Sequence, residues 1–178
     1  MKENATLIEV CPAAGAVDEA AVRKKYEALT LRLIATETTI TTMESCTGGQ
    51  IAALITDTPG ASAIIKGAFV TYSNEAKVRQ GVPAAISDRY GVYSSQTAAA
   101  MAEACRNALS ADIGVGVTGT FGNVDPNNAD SVPCEVYFAI ATGEKVMTFH
   151  CAVPVQVSRL AYKLYMADVI ADRLMQIV

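Results

Sequence analysis

Two β-branched, apolar segments near the end of the chain, residues 136–141 and 146–153, are separated only by a short turn around Gly143 and Glu144. Segments that close together pair as a hairpin and run antiparallel. Three earlier segments of the same character, residues 39–43, 68–72 and 112–117, are instead spaced by helical stretches, the pattern that lays strands side by side in parallel. A sheet holding both arrangements is mixed. The expected fold is α/β, a three-layer sandwich around a mixed sheet of about five strands. With 178 residues, 51% of them hydrophobic, the chain suits one domain with a real core. Residues 1–16 show no sustained period and are expected to be a loose N-terminal arm, which leaves a single domain over residues 17–178.

The helices carry their own signals. Asp18 suits an N-cap, and Val22, Tyr26, Leu29 and Leu33 follow at helical spacing, so that stripe is expected in the core. Residues 50–55 read as a helix stopped by Pro59 and Gly60, and residues 74–80 as a helical turn closed by Gly81. The Ala-rich stretch 96–109 reads as a helix capped by Ser94 or Ser95. A last helix is expected to start at Pro154 and to carry Val157, Leu160, Leu164, Val169 and Leu174. Residues 119–133, dense in Gly, Asn, Asp and Pro, form the longest irregular segment. A loop of ~15 residues is more often functional than a plain connector.

Composition removes several function classes. Fourteen Lys and Arg against eighteen Asp and Glu give a net charge of -4, so no broad basic face is available and nucleic acid is not an expected partner. Apolar runs are broken well short of the ~20 residues of a membrane span, and the first residues lack the pattern of a secretory signal. No membrane partner and a cytoplasmic location are expected. Five dispersed cysteines without a CxxC read as reduced thiols. His150 is the only histidine, which removes multi-histidine zinc sites and leaves a Ser-His-Asp triad one candidate base. Its place between Phe149 and Cys151 in a strand favours a hydrogen-bonded structural role. No metal is expected: Asp125, Asn127, Asp130 and Glu135 miss the register of a calcium loop. Gly116, Gly119 and Gly122 lead into an irregular loop rather than a helix, which is not a dinucleotide-site context, so no cofactor is expected.

The sharpest local signal is Glu44-Ser45-Cys46-Thr47-Gly48-Gly49, between a strand and a helix. In an α/β sheet ligands bind beyond the carboxyl ends of strands, and a serine there stands beside unpaired helix amides. Those amides, with Gly48 and Gly49 permitting close approach, suit an oxyanion or a phosphate. A tight turn capped by Ser45 or Thr47 is an equally weighted reading. A serine nucleophile needs a base, and lysine serves when its pKa is lowered. Tyr72, Ser73 and Asn74 end a strand and Lys77 follows one turn later, so Ser45, Tyr72 and Lys77 form a candidate nucleophile, relay and base. The competing reading is a core-edge tyrosine, a helix-capping asparagine and a solvated lysine.

Taken in order, TTMESCTGGQIAALITDTPGASA, GAFVTYSNEAKVRQGVP, YGVYS and DIGVGVTG resemble the C-terminal domain of the competence/damage-inducible CinA proteins, also known as the nicotinamide mononucleotide amidohydrolase (deamidase) family. The match is specific from about residue 39 to residue 119 and weaker beyond. The resemblance implies a mixed-sheet three-layer domain. It also implies a metal-independent serine hydrolase that converts the carboxamide of nicotinamide mononucleotide to nicotinic acid mononucleotide and ammonia, with a small-molecule nucleotide as partner and a homo-oligomer as a further possibility. Carried over, Ser45 matches the family nucleophile, Tyr72 its partner tyrosine and Lys77 its base. Glu44, Thr47, Gly48, Gly49, Asn74, Thr118, Gly119 and Arg159 are the expected substrate-binding residues.

The second half departs from the family pattern. Where the family has a glycine-rich loop, this chain reads GTFGNVDPNNADSVPCE, with Phe121 in place of a small residue, Asn123 in place of proline and Cys134 in place of glycine. Pro154 and Ser158 stand near the family's basic motif, leaving Arg159, one residue away, as a substitute for its phosphate-binding arginine. The nucleotide-processing domain of larger members has no counterpart in these residues, so a stand-alone version is expected. Two functions follow: an amidohydrolase of pyridine nucleotide salvage, or a divergent non-catalytic homologue that keeps the pocket as a nucleotide-binding or interaction module.

Overall fold

The computed structural model describes Leu7–Glu9 and residues 16–178. Six strands, β1 (Leu7–Glu9), β2 (Ile40–Glu44), β3 (Ile65–Val70), β4 (Ile113–Gly119), β5 (Glu135–Ala141) and β6 (Val146–Ala152), form one sheet of order β1-β6-β5-β4-β2-β3. Strand β2, next to the edge strand β3, runs parallel to β3 and β4, while β4-β5 and β5-β6 are antiparallel. The sheet is mixed, as the strand spacing requires. Five strands are those legible in the sequence. The sixth, β1, pairs in parallel with β6 and comes from the segment read as a loose arm. Three residues are too few to display a period.

Six helices cover the two faces: α1 (Glu19–Ala35), α2 (Gln50–Thr56), α3 (Asn74–Arg79), α4 (Ala84–Tyr90), α5 (Ser95–Leu109) and α6 (Arg159–Met175). On one face α1, α2 and α6 pack together, and α5, with α4 against it, lies on the other. Asp18 caps α1 through Ala20 and Ala21 amides, and the stripe Val22, Tyr26, Leu29 and Leu33 is buried. The Tyr26 hydroxyl, fully inside, donates to the Ala167 carbonyl of α6 at 2.9 Å, so the two helices share a satisfied polar contact within an apolar interface.

The sequence of β4 explains how close α5 lies. Because side chains alternate across a strand, Val115 and Val117 enter the core beneath α1 and α6 while Gly114 and Gly116 face α5. A Cβ on Gly116 would stand 2.3 Å from the Ala98 carbonyl and 2.5 Å from the Ala102 nitrogen. Glycine on the strand and alanine on the helix thus bring the two backbones into contact, and the Ala-rich character of α5 is a packing requirement as well as a helix propensity.

Three local expectations change. The strand read at 68–72 lies earlier, at Ile65–Val70, because pairing with β2 ends where Val70 meets Glu44. Helix α4 gave no periodic signal, since none of its residues is buried. The last helix starts at Arg159, not Pro154: the Ser158 hydroxyl accepts the Ala161 amide and sets the boundary there. Val157 is therefore outside the helix and 99% exposed, and Leu160 is half exposed, while Leu164, Val169 and Leu174 are buried. No described helix is long and apolar enough to cross a membrane.

The β4-α5 contact makes a direct prediction. Gly116→Ala should force the strand and helix apart and lower stability by about 1–3 kcal/mol, measured by urea unfolding. An exposed control, Ala85→Gly, should cost no more than ~1 kcal/mol.

Candidate active site

Parallel pairing brings two chain crossings together. Glu44 is in register with Val70, and the ladder continues one step beyond each strand, with the Ser45 amide donating to Val117 O at 3.0 Å and the Thr71 amide to Glu44 O at 2.9 Å. Ser45 and Thr71 are thus fixed side by side at the carboxyl edge of the sheet. Ser73 then caps α3 by accepting the Ala76 amide, which turns the chain so that Lys77 folds back. Its Nζ lies 3.2 Å from Ser45 Oγ and donates to Thr71 O at 3.0 Å. Lys77 is only 3% exposed and lacks a carboxylate partner among the described residues; burial lowers its pKa from the ordinary lysine value, opposed by the more distant charge of Asp125. The convergence expected of Ser45 and Lys77 is present.

The turn that carries Ser45 is held by an internal anion. Glu44, completely buried, accepts from the amides of Gly49 (3.0 Å), Ile51 (3.1 Å) and Ala52 (3.0 Å) and from the Thr42 hydroxyl (3.0 Å). It satisfies the free N–H groups at the start of α2 from within the fold. This corrects three expectations. Glu44 is not open to substrate, and the Gly49 amide is occupied by it. The Gly48 amide donates to Ser45 O at 2.9 Å, so neither glycine offers an oxyanion or phosphate donor. What the glycines supply is backbone shape: φ is +59° at Gly48 and +93° at Gly49, which only glycine adopts without strain.

A cleft of about 190 Å³ opens in front of Ser45, lined by Cys46, Tyr72, Tyr93, Gly119, Phe121, Asp125 and Arg159 among others. Of the expected substrate-binding residues, Gly119 and Arg159 line it. Thr47 is buried with an unpartnered hydroxyl, Thr118 is buried and donates to Val92 O at 3.0 Å, and Asn74 donates to Asn128 Oδ1 at 2.8 Å outside the cleft. None of these three lines the cleft. Tyr72 is 63% exposed, and its hydroxyl accepts from Arg159 at 3.1 Å. Lys77 reaches Ser45 directly, so the expected relay through Tyr72 is replaced by a wall position beside Arg159. His150 is on β6, paired with Glu135 and stacked on Tyr137, and does not line the cleft. The Cys46 thiol, next to the serine, is pushed up to about 12 by burial and is no competing nucleophile.

The two departures from the family pattern touch each other. The Arg159 guanidinium lies 5.0 Å over the ring of Phe121, which is buried and stacked on Tyr162. A small residue at position 121 would remove that platform. The sequence pointed to the loop by its length, its composition and its departure from the family pattern, and to Tyr93 only through the quoted YGVYS motif; Asp125 and Tyr93 have no linear pattern that joins them. No group of three or more candidate metal ligands occurs among the described residues.

Glu44 gives the second prediction. Glu44→Gln keeps the shape but places an amide donor against backbone donors, so it should cost about 1.5–3 kcal/mol of stability in denaturant unfolding. It should also reduce any Ser45-dependent turnover.

The model of the CinA C-terminal domain matches residues 22–169. Among curated relatives, a protein of Desulforudis audaxviator (strain MP104C) named for competence-damage induction is 41% identical over 65% of this chain and 28% of its own. A CinA-like protein of Dictyoglomus thermophilum is 46% identical over 47% of this chain and 21% of its own. The chain thus spans under a third of the length of these relatives. The competence/damage-inducible protein CihA of Agrobacterium tumefaciens superposes with a TM-score of 0.79 at 25% identity, covering 92% of this chain and 98% of that one. A CinA superfamily protein of Escherichia coli gives 0.80 at 24% identity, covering 93% and 95%. With its mixed sheet, its motifs and a family match across most of its length, the chain belongs to the CinA C-terminal domain family.

Proposed function

We propose that the protein hydrolyses the carboxamide of nicotinamide mononucleotide, giving nicotinic acid mononucleotide and ammonia, with Ser45 as nucleophile and Lys77 as base. The observation that carries this reading is the 3.2 Å approach of the buried Lys77 Nζ to Ser45 Oγ. Desolvation raises the free-amine fraction of Lys77, and a free amine can accept the serine proton. Ser45 Oγ attacks the carboxamide carbon while its proton passes to Lys77. The tetrahedral intermediate collapses as Lys77 returns that proton to the departing nitrogen, so ammonia leaves and an ester on Ser45 remains. Water, deprotonated by Lys77, then cleaves the ester and releases the carboxylate. The oxyanion is assigned to the backbone at Cys46, which adjoins the nucleophile and lines the cleft.

The dimensions support a divided substrate. A cleft of about 190 Å³ is small beside the ~300–1,000 Å³ of ordinary ligand pockets. It has room for the ring that bears the amide and leaves the phosphate at the mouth. There Arg159 is exposed and held by Tyr72, Asn123 and the Phe121 face. A guanidinium so oriented is a fork for phosphate oxygens. Lys66, Arg79 and Lys163, whose Nζ lies against Gly48, do not line the cleft.

Ammonia release from nicotinamide mononucleotide tests the assignment. Ser45→Ala and Lys77→Met should each abolish turnover, and His150→Ala should leave it essentially intact. Arg159→Ala, losing one charge-assisted contact of about 1.5–3 kcal/mol, should raise KM roughly ten- to hundredfold with little change in kcat. Equal loss in Ser45→Ala and His150→Ala would overturn the Ser-Lys reading, and binding without turnover at saturation would establish a non-catalytic nucleotide module. The pH dependence has a fixed sign. Because the free amine is the active form, kcat/KM should rise with pH through the folded-state pKa of Lys77, and burial places that limb below the ordinary lysine value of 10.5.

A further inference from the structure

We infer that Asp125, with the rings of Tyr72 and Tyr93, makes the cleft selective for a flat aromatic cation, so that the oxidised pyridinium ring is recognised and its neutral dihydro form is not. The inference rests on the amidase reading for the identity of the ligand and adds what decides between two ring states carrying the same amide, ribose and phosphate.

The observations are confined to the cleft wall. Asp125 lines it from the 119–133 loop, and its carboxylate is fixed by three donors. Oδ1 accepts the Asn127 amide at 2.9 Å, and Oδ2 accepts the Asn128 side-chain amide at 2.6 Å and the Tyr93 hydroxyl. The loop is itself anchored, since Asn128 Oδ1 accepts from Asn74, Asp130 accepts the Tyr93 amide at 3.1 Å and Ser131 Oγ accepts the Asp125 amide at 2.7 Å. These donors hold the Asp125 carboxyl down to about 2, so it is an anion throughout the neutral range.

No described lysine, arginine or histidine forms an ion pair with Asp125. Three hydrogen bonds leave acceptor capacity on a carboxylate, which offers about four lone-pair sites. Tyr93, whose hydroxyl reaches Asp125, and Tyr72, beside Arg159, add two aromatic rings to the cleft lining, and aromatic faces attract cations. Arg159 carries the opposite charge at the mouth. The cleft therefore presents an anion and aromatic faces for a cationic ring together with a guanidinium for a phosphate, which matches a ligand that carries both charges.

The test compares nicotinamide mononucleotide with its 1,4-dihydro form in calorimetric titrations of Ser45→Ala, which holds ligand without turnover. The oxidised form is expected to bind at least about tenfold tighter. In Ser45→Ala with Asp125→Asn, which keeps an acceptor for Tyr93 and removes the charge, that preference should fall to within about twofold, mainly through weaker binding of the oxidised form. In Ser45→Ala with Tyr93→Phe, which removes a donor but keeps the ring and the charge, the preference should persist. Absence of a preference in Ser45→Ala, its persistence in the Asp125→Asn double variant, or equal loss of both ligands there would overturn the inference. The amidase reading fails separately: a wild-type protein that binds the oxidised nucleotide selectively but releases no ammonia refutes the reaction and leaves the selectivity standing.

Discussion

The site depends on a carboxylate that never meets substrate. Glu44 ends strand β2 and turns its carboxylate inward, where three amides of the β2-α2 turn and one threonine hydroxyl satisfy it. A helix start is ordinarily a place for an external anion, and here the protein supplies its own. The result is a rigid strand-to-helix turn whose next residue is Ser45. These helix amides are thus already occupied, and the guanidinium that lines the cleft is that of Arg159.

Lys77 extends the same economy of groups. It has moved from water into the space behind Ser45, where a carbonyl and a hydroxyl are its polar contacts. A charged amine is disfavoured by that environment, so burial lowers the Lys77 pKa and raises the fraction of free amine. Sheet register is the cause: Glu44 beside Val70 sets Ser45 beside Thr71, and the short helix α3 returns Lys77 over both. A one-residue slip would turn these side chains to opposite faces.

The departures from the family pattern form a local unit. Phe121 fills the space beneath Arg159, and the guanidinium is also fixed by Tyr72. Asn74, Tyr93, Asn128 and Asp125 tie the long loop back to α3 and to the start of α5. The loop is thereby an ordered part of the cleft, with polar cross-links where the family pattern relies on glycine.

The sequence by itself determined the three layers, five strands and the mixed character of the sheet, because alternation, helical stripes and a hairpin-length gap are local in the chain, while the order of strands within the sheet came from the structure. The β1 strand and helix α4 escaped it: three residues carry no period, and a helix with no buried face leaves no stripe. Ser45 and Lys77 were legible through their motifs, as was the unsuitability of a lone strand histidine. Only tertiary structure decided that Glu44, Thr47, Thr118 and Asn74 stand away from the cleft lining, that Tyr72 stands beside Arg159 and that Asp125 lines the cleft. Those placements depend on which elements distant in sequence fold together, and linear spacing carries no record of that.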